Sequence, residues 1–137
     1  MTDILEFLKN EGLNRELIDG IKDFRAKYAS HNEYNSRIPE PEYLYYGKET
    51  WEEAVAAILA GRNILLAGPK ATGKNVLADN LAAVFGRPEW NVSFHINTDA
   101  AYLIGTDTYD GQKVVFRPGP IYLAASNGGF AVLDEIN

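Results

Sequence analysis

Between Gly68 and Asn75 the chain reads GPKATGKN. Two glycines spaced as Gly68 and Gly73, with Lys74 directly after the second, form the pattern of a phosphate-binding loop. The glycines let successive backbone N–H groups converge on anionic oxygens, the helix that follows turns its positive end toward them, and the lysine reaches the outer phosphates. The candidate nucleotide-binding set is therefore Gly68, Pro69, Lys70, Ala71, Thr72, Gly73, Lys74, Asn75 and Val76. A second chemical feature is FAVLDEIN, residues 130–137, an apolar strand pattern that ends in adjacent carboxylates. Ligands of open parallel sheets sit at the carboxyl ends of strands. There Asp134 would hold Mg²⁺ through its water shell, and Glu135 would orient or deprotonate an attacking water.

Asn75 departs from the usual loop, in which a Ser or Thr hydroxyl coordinates Mg²⁺ directly. Its amide oxygen is a neutral metal ligand on a longer arm and needs some rearrangement to reach the ion. Phosphate binding survives that change. Metal-assisted hydrolysis either weakens or, where a water takes the place of the hydroxyl, continues unchanged.

These residues need elements to position them. NILLAG, residues 63–68, predicts a short buried strand leading into the loop, and Leu77, Leu81, Val84 and Phe85 predict an amphipathic helix leaving it. Ahead of that strand, TWEEAVAAILAGRN predicts a helix with Thr50 and Glu53 as a capping box, an apolar face at positions 51, 54, 55, 58 and 59, and a stop at Gly61. After Gly86, WNVSFHIN alternates as a strand, and a short helical piece follows. TYDGQKVVF then places Asp110-Gly111 between two strand-like arms, the signature of a tight hairpin. GPIYLAASNG reads as a helix with Pro120 in its first turn. Helices alternating with buried strands predict an α/β fold with a parallel sheet and helical crossovers. Toward the N-terminus, Ile4, Phe7 and Leu8 form one short helical stripe, and Leu17, Ile21, Phe24 and Tyr28 form a second, which Asn14 would cap. Pro39 and Pro41 interrupt the helical pattern, so the boundary falls between a helical segment, 1–41, and the loop-bearing core, 42–137.

Composition bounds the function. A chain of 137 residues with 46% hydrophobic content supports one ordinary core, and a formal charge of -6 argues against a general nucleic-acid-binding face while leaving a local phosphate nest possible. No apolar run approaches the roughly 18 residues that cross a bilayer, and the N-terminus lacks the pattern of a signal peptide, so a cytoplasmic protein without membrane association is expected. The absence of cysteine excludes disulfides and thiolate metal sites. His31 and His95 read as a loop and a strand histidine, with no role assigned.

The stretches NILLAGPKATGKN and FRPGPIYLAASNGGFAVLDEIN, with the hairpin between them, resemble the AAA+ ATPases of the MoxR and dynein-related group over roughly residues 49–137. The hairpin looks like the helix-2 insert of that group. The resemblance implies that Lys74 contacts the β- and γ-phosphates of ATP, Asp134 serves Mg²⁺ and Glu135 polarises the water. It also implies that Asn97 pairs with the catalytic glutamate and holds it inactive, although an Asn at a strand end is more often a turn residue. In such ATPases the sheet order is 5-1-4-3-2, which puts an absent fourth strand between 63–67 and 130–134. The expected resolutions are a longer protein, a partner chain or direct pairing of those two strands, because unpaired buried backbone is costly. The resemblance further implies a homo-oligomeric ring that remodels a protein partner. A non-catalytic nucleotide-sensing module marked by Asn75, and a GTP-dependent relative, are the alternatives.

Overall fold

The computed structural model describes residues 3–29 and 33–136, so His31 and Asn137 lie outside the described residues. The chain divides into two compact units, Met1–His31 with Pro39–Gly86, and Asn32–Ile38 with Arg87–Asn137.

The first unit is helical. Its helices are α1 (Ile4–Asn10), α2 (Arg15–Lys27), α3 (Lys48–Leu59) and α4 (Lys74–Phe85). Asp3 and Asn14 cap the first two, accepting from the backbone N–H of Leu5 at 3.0 Å and of Glu16 at 2.8 Å. The Asn14 cap is the one the sequence predicts. Helix α2 packs against α1, α3 and α4, and Leu8, Ile21, Trp51, Val55 and Val84 are fully enclosed between them. Each buried aliphatic chain contributes about 1.5–3 kcal/mol relative to exposure. Arg25 adds a polar tie, donating to the carbonyls of Val84 at 2.6 Å and Ala83 at 3.4 Å. That places a cation at the negative end of α4, where carbonyls otherwise lack partners.

Two sequence expectations are corrected in this unit. Helix α3 begins at Lys48 with Gly47 as its cap and no side-chain capping bond, so Thr50 stands inside the first turn and the capping box with Glu53 does not form. The earlier start follows from Trp51, whose backbone N–H already donates to Gly47 O at 3.0 Å and whose indole N–H donates to Tyr45 O at 2.8 Å. The C-terminal stop is as predicted. Gly61 takes φ +71, its N–H reaches Ile58 O, and Arg62 N–H reaches Ala57 O, a Schellman closure. The second correction concerns 63–67, which is not a strand, with Leu65 75% exposed. Among the described residues no segment pairs with it, so the expected direct pairing with 130–134 does not occur. Without a ladder partner, apolar content alone does not make a strand.

The second unit carries the sheet. Strands β1 (Glu89–Ser93) and β4 (Phe130–Asp134) pair in parallel, Glu89 opposite Phe130 and Ser93 opposite Asp134. Between them run α5 (Ala100–Leu103), the antiparallel hairpin of β2 (Gly105–Tyr109) and β3 (Val114–Pro118), and α6 (Pro120–Ser126), which packs on both parallel strands. This is the helical crossover that the sequence predicts for an α/β fold. Trp90 and Val92 point into the core while Asn91 and Ser93 face out, the alternation of a strand with one face covered. Arg87 donates to Gly128 O and Asn127 O, both at 2.6 Å, and so satisfies the carbonyl end of α6. The segment before the first prolines joins this unit. Arg37 donates to Glu89 O at 3.2 Å and lies 4.9 Å above the Trp90 ring. The hairpin is present where Asp110-Gly111 predicts it, with residues 110–113 as its connection. The strand predicted over 90–97 is shorter, ending at Ser93, because the pairing edge offered by β4 ends at Asp134.

Candidate functional site

The phosphate loop lies in the first unit, and every residue from 68 to 76 falls in the loop or the first turn of α4. Gly73 caps the helix at φ 84, a conformation that a glycine adopts without strain. Ala71 has φ 60, which costs a residue with a Cβ roughly 1–2 kcal/mol. Ala71 and Glu135 are the two non-glycine residues with positive φ among those described, and both were singled out as candidate site residues from sequence. Such outliers concentrate where a surrounding structure must over-determine the backbone.

Side chains close the loop on itself. Lys74 Nζ donates to Gly68 O at 2.5 Å and Pro69 O at 3.2 Å, and Thr72 Oγ1 donates to Pro69 O at 2.9 Å. The ammonium of Lys74 is therefore held over the loop's own carbonyls. Asn75 and Lys70 are exposed, and Val76 sits in the first turn, its carbonyl accepting from Asn80 Nδ2 at 2.8 Å.

A cleft of about 310 Å³ opens beside the loop. Besides loop residues and Lys74 it is lined by Tyr45, Thr50, Leu65, Leu66 and Leu77. Sequence reasoning missed Tyr45, and it missed the residue that holds it. Asn80 is fully buried on α4; its Oδ1 accepts from Tyr45 N–H at 3.1 Å and its Nδ2 donates to Tyr43 O at 2.9 Å. The available signal was an amide-bearing residue between Leu77 and Leu81 on the apolar face of a helix, where a polar group must find a partner.

The acidic pair lies in the second unit, at the carboxyl end of β4. Asp134 is half-buried, and its Oδ1 accepts from the Glu135 N–H at 3.0 Å. Its carbonyl accepts from Phe94 N–H at 2.9 Å, so sheet pairing fixes the backbone that carries the carboxylate. Glu135 is exposed with φ 58, which turns its chain away from the strand direction. The Asp134 carboxylate is a hard, anionic oxygen donor of the kind that Mg²⁺ prefers. Asn97 does not end a strand. It is an exposed turn residue beyond β1, its N–H donating to His95 Nδ1 at 3.2 Å, while His95 N–H donates to Thr98 Oγ1 at 2.9 Å. Turn formation accounts for both His95 and Asn97 here.

Comparison with known proteins accords with this architecture. The family model for the AAA domain of the dynein-related subfamily matches residues 63–137. The chain is 33% identical over 126 residues to the uncharacterized protein YojN of Bacillus subtilis, covering 85% of this chain and 41% of that protein. It is 36% identical over 104 residues to protein NorQ of Paracoccus denitrificans, covering 74% of this chain and 37% of NorQ. The chain thus spans about two fifths of the length of these relatives. With the loop, the parallel pair and the acidic strand end in sequence, the chain belongs to the AAA+ ATPases of the MoxR and dynein-related group.

Proposed function

We propose that residues 42–137 are the nucleotide-binding part of a MoxR-like AAA+ ATPase, with residues 1–41 as a helical lead-in, and that the intact protein hydrolyses ATP to remodel a protein partner as a homo-oligomeric ring. The observation that carries this reading is the loop, with left-handed backbone at Ala71 and Gly73 and the Lys74 ammonium held above it. Backbone N–H groups between Gly68 and Val76, Pro69 excepted, bind phosphate oxygens, and Lys74 reaches the outer ones. Asp134 and Asn75 are the residues that would hold magnesium, which when bound neutralises charge developing on the phosphates. Glu135 accepts a proton from the attacking water or orients it. No described helix is long and apolar enough to cross a membrane; a cytoplasmic setting is part of the proposal.

The test uses the intact full-length protein. Lys74→Ala is expected to weaken ATP binding at least tenfold by calorimetry. Glu135→Gln is expected to retain binding and lose most steady-state phosphate release. Turnover that Glu135→Gln leaves unchanged would remove Glu135 from its role.

Asn75 supports a second reading, a nucleotide sensor that binds without turning over, because the metal-coordinating hydroxyl is replaced. Binding with no measurable hydrolysis in the wild type favours it. A preference for guanine nucleotides, the third reading, is decided by the same titration with GTP.

A further inference from the structure

The two parallel strands differ in how well each specifies its own pairing. In β1, EWNVS, polar and apolar residues alternate, whereas β4 runs Phe130, Ala131, Val132, Leu133, apolar at every position before Asp134. A strand without alternation does not fix its register, because a slip along its neighbour still offers an apolar residue at every place. A slip of two residues would carry Asp134 about 6.6 Å along the sheet, and a slip of one would turn it to the other face. Something outside β4 must therefore set its starting point.

The turn between α6 and β4 is gripped by the chain that leads into β1. Arg87 is buried, and its planar fork engages two successive carbonyls, Nε donating to Gly128 O and Nη2 to Asn127 O, both at 2.6 Å. Phe130 N–H donates to Pro88 O at 2.8 Å, and Gly129 N–H to Ala124 O at 2.7 Å. Gly129 fits here because it has no Cβ; one built there would lie 2.5 Å from Trp90 Cζ3 and 2.7 Å from Pro88 O. Gly128 takes φ 61, and a Cβ on it would lie 2.9 Å from Arg87 Nη2. Arg87, Pro88 and Trp90 thus hold residues 127–130 at one end of the ladder. From there the pairing runs without interruption to Ser93 opposite Asp134.

We propose that Arg87 is a positioning residue that sets the register of β4 against β1 and so fixes where the Asp134 and Glu135 carboxylates stand. Its effect on turnover rests on the hydrolysis reading above, whereas the register itself does not. Arg87 and both acids belong to the second unit, and the phosphate loop belongs to the first. Loss of the clamp therefore lowers turnover and leaves nucleotide binding in place.

The experiment uses the intact full-length protein and measures calorimetric ATP affinity, steady-state phosphate release and cross-linking of an Asn91→Cys, Val132→Cys pair by a short bis-alkylating thiol reagent, mapped by mass spectrometry. Asn91 and Val132 stand opposite each other, so the cross-link reports the register directly. Arg87→Met keeps the apolar stem and removes both donors. It is expected to lower phosphate release by roughly tenfold or more and to leave ATP affinity within about threefold of wild type. It is also expected to shift cross-linking from that pair toward Asn91→Cys combined with Phe130→Cys or Asp134→Cys. Arg87→Lys, whose ammonium donates to the same carbonyls, is expected to restore both the cross-link and most phosphate release. Gly128→Ala, which presses on the guanidinium, is expected to follow Arg87→Met to a smaller degree and covers the case in which Arg87→Met fails to fold. Cross-linking of the in-register pair that neither Arg87→Met nor Gly128→Ala changes would overturn the proposal. So would joint loss of ATP affinity, phosphate release and every cross-link in both variants, which would make Arg87 a folding residue. A shifted register with unchanged phosphate release, or wild-type ATP binding without any release, would count against the hydrolysis reading, and the cross-links would still decide the role of Arg87.

Discussion

Asn75 is the residue on which turnover depends most directly in this proposal. It is exposed in the first turn of α4, so its side chain is available to a ligand, and it offers an amide oxygen where a hydroxyl is usual. Asn75→Thr is expected to raise ATP hydrolysis in the full-length protein several-fold while changing ATP affinity by less than threefold. Steady-state phosphate release measured beside calorimetric binding checks this, and unchanged or lower turnover counts against a metal role for the position. At this scale much of the site was legible in the chain. Gly73 and Lys74 occupy the places their types predict, because a left-handed cap and a first-turn ammonium are local demands. Tyr45 was not legible, because its position depends on Asn80 and Trp51, which lie 35 and 6 residues away along the chain.

Among the elements, the hairpin of β2 and β3 best shows local chemistry setting local structure. Asp110 Oδ1 accepts from the N–H groups of Gln112 and Lys113, both at 2.9 Å, and Gly111 takes φ 97 within the connection. The bonds from Lys113 and then Gln112 hold the Asp110 carboxyl below the usual aspartate range. A depressed pKa means that the folded turn favours the ionised form. The stabilisation is therefore complete above the unfolded aspartate value of about 3.9 and is lost as pH falls through the lower folded value. An NMR titration following the Gln112 and Lys113 amides should give a shared midpoint below about 3.9, and Asp110→Ala should abolish it. A midpoint at or above that value would contradict the turn geometry. The start of α3 was not legible in the same way. A capping box at Thr50 and Glu53 was locally sound, yet burial of Trp51 and its bond to Tyr45 drew the helix start back to Lys48.

For the whole molecule, the contrast between 63–67 and the β1–β4 pair carries the main consequence. The parallel pair has a complete ladder, whereas 63–67 has no strand partner among the described residues. Amides exchange with solvent according to how often their hydrogen bonds open. Hydrogen exchange of the 137-residue chain should thus show residues 64–67 exchanging near the rate of unstructured backbone and 90–93 protected by orders of magnitude. Protection of 64–67 equal to that of β1 would show that this segment pairs after all. The sequence by itself determined the loop, the helix behind it, the hairpin turn and the α/β class, since each follows from residue type and spacing within a few positions. Only the tertiary structure decided that 63–67 is not a strand, that Asn97 belongs to a turn and that Tyr45 is among the residues lining the cleft. Each of those outcomes depends on whether a distant segment supplies a ladder, an edge or a buried amide, and residue spacing carries no record of such partners.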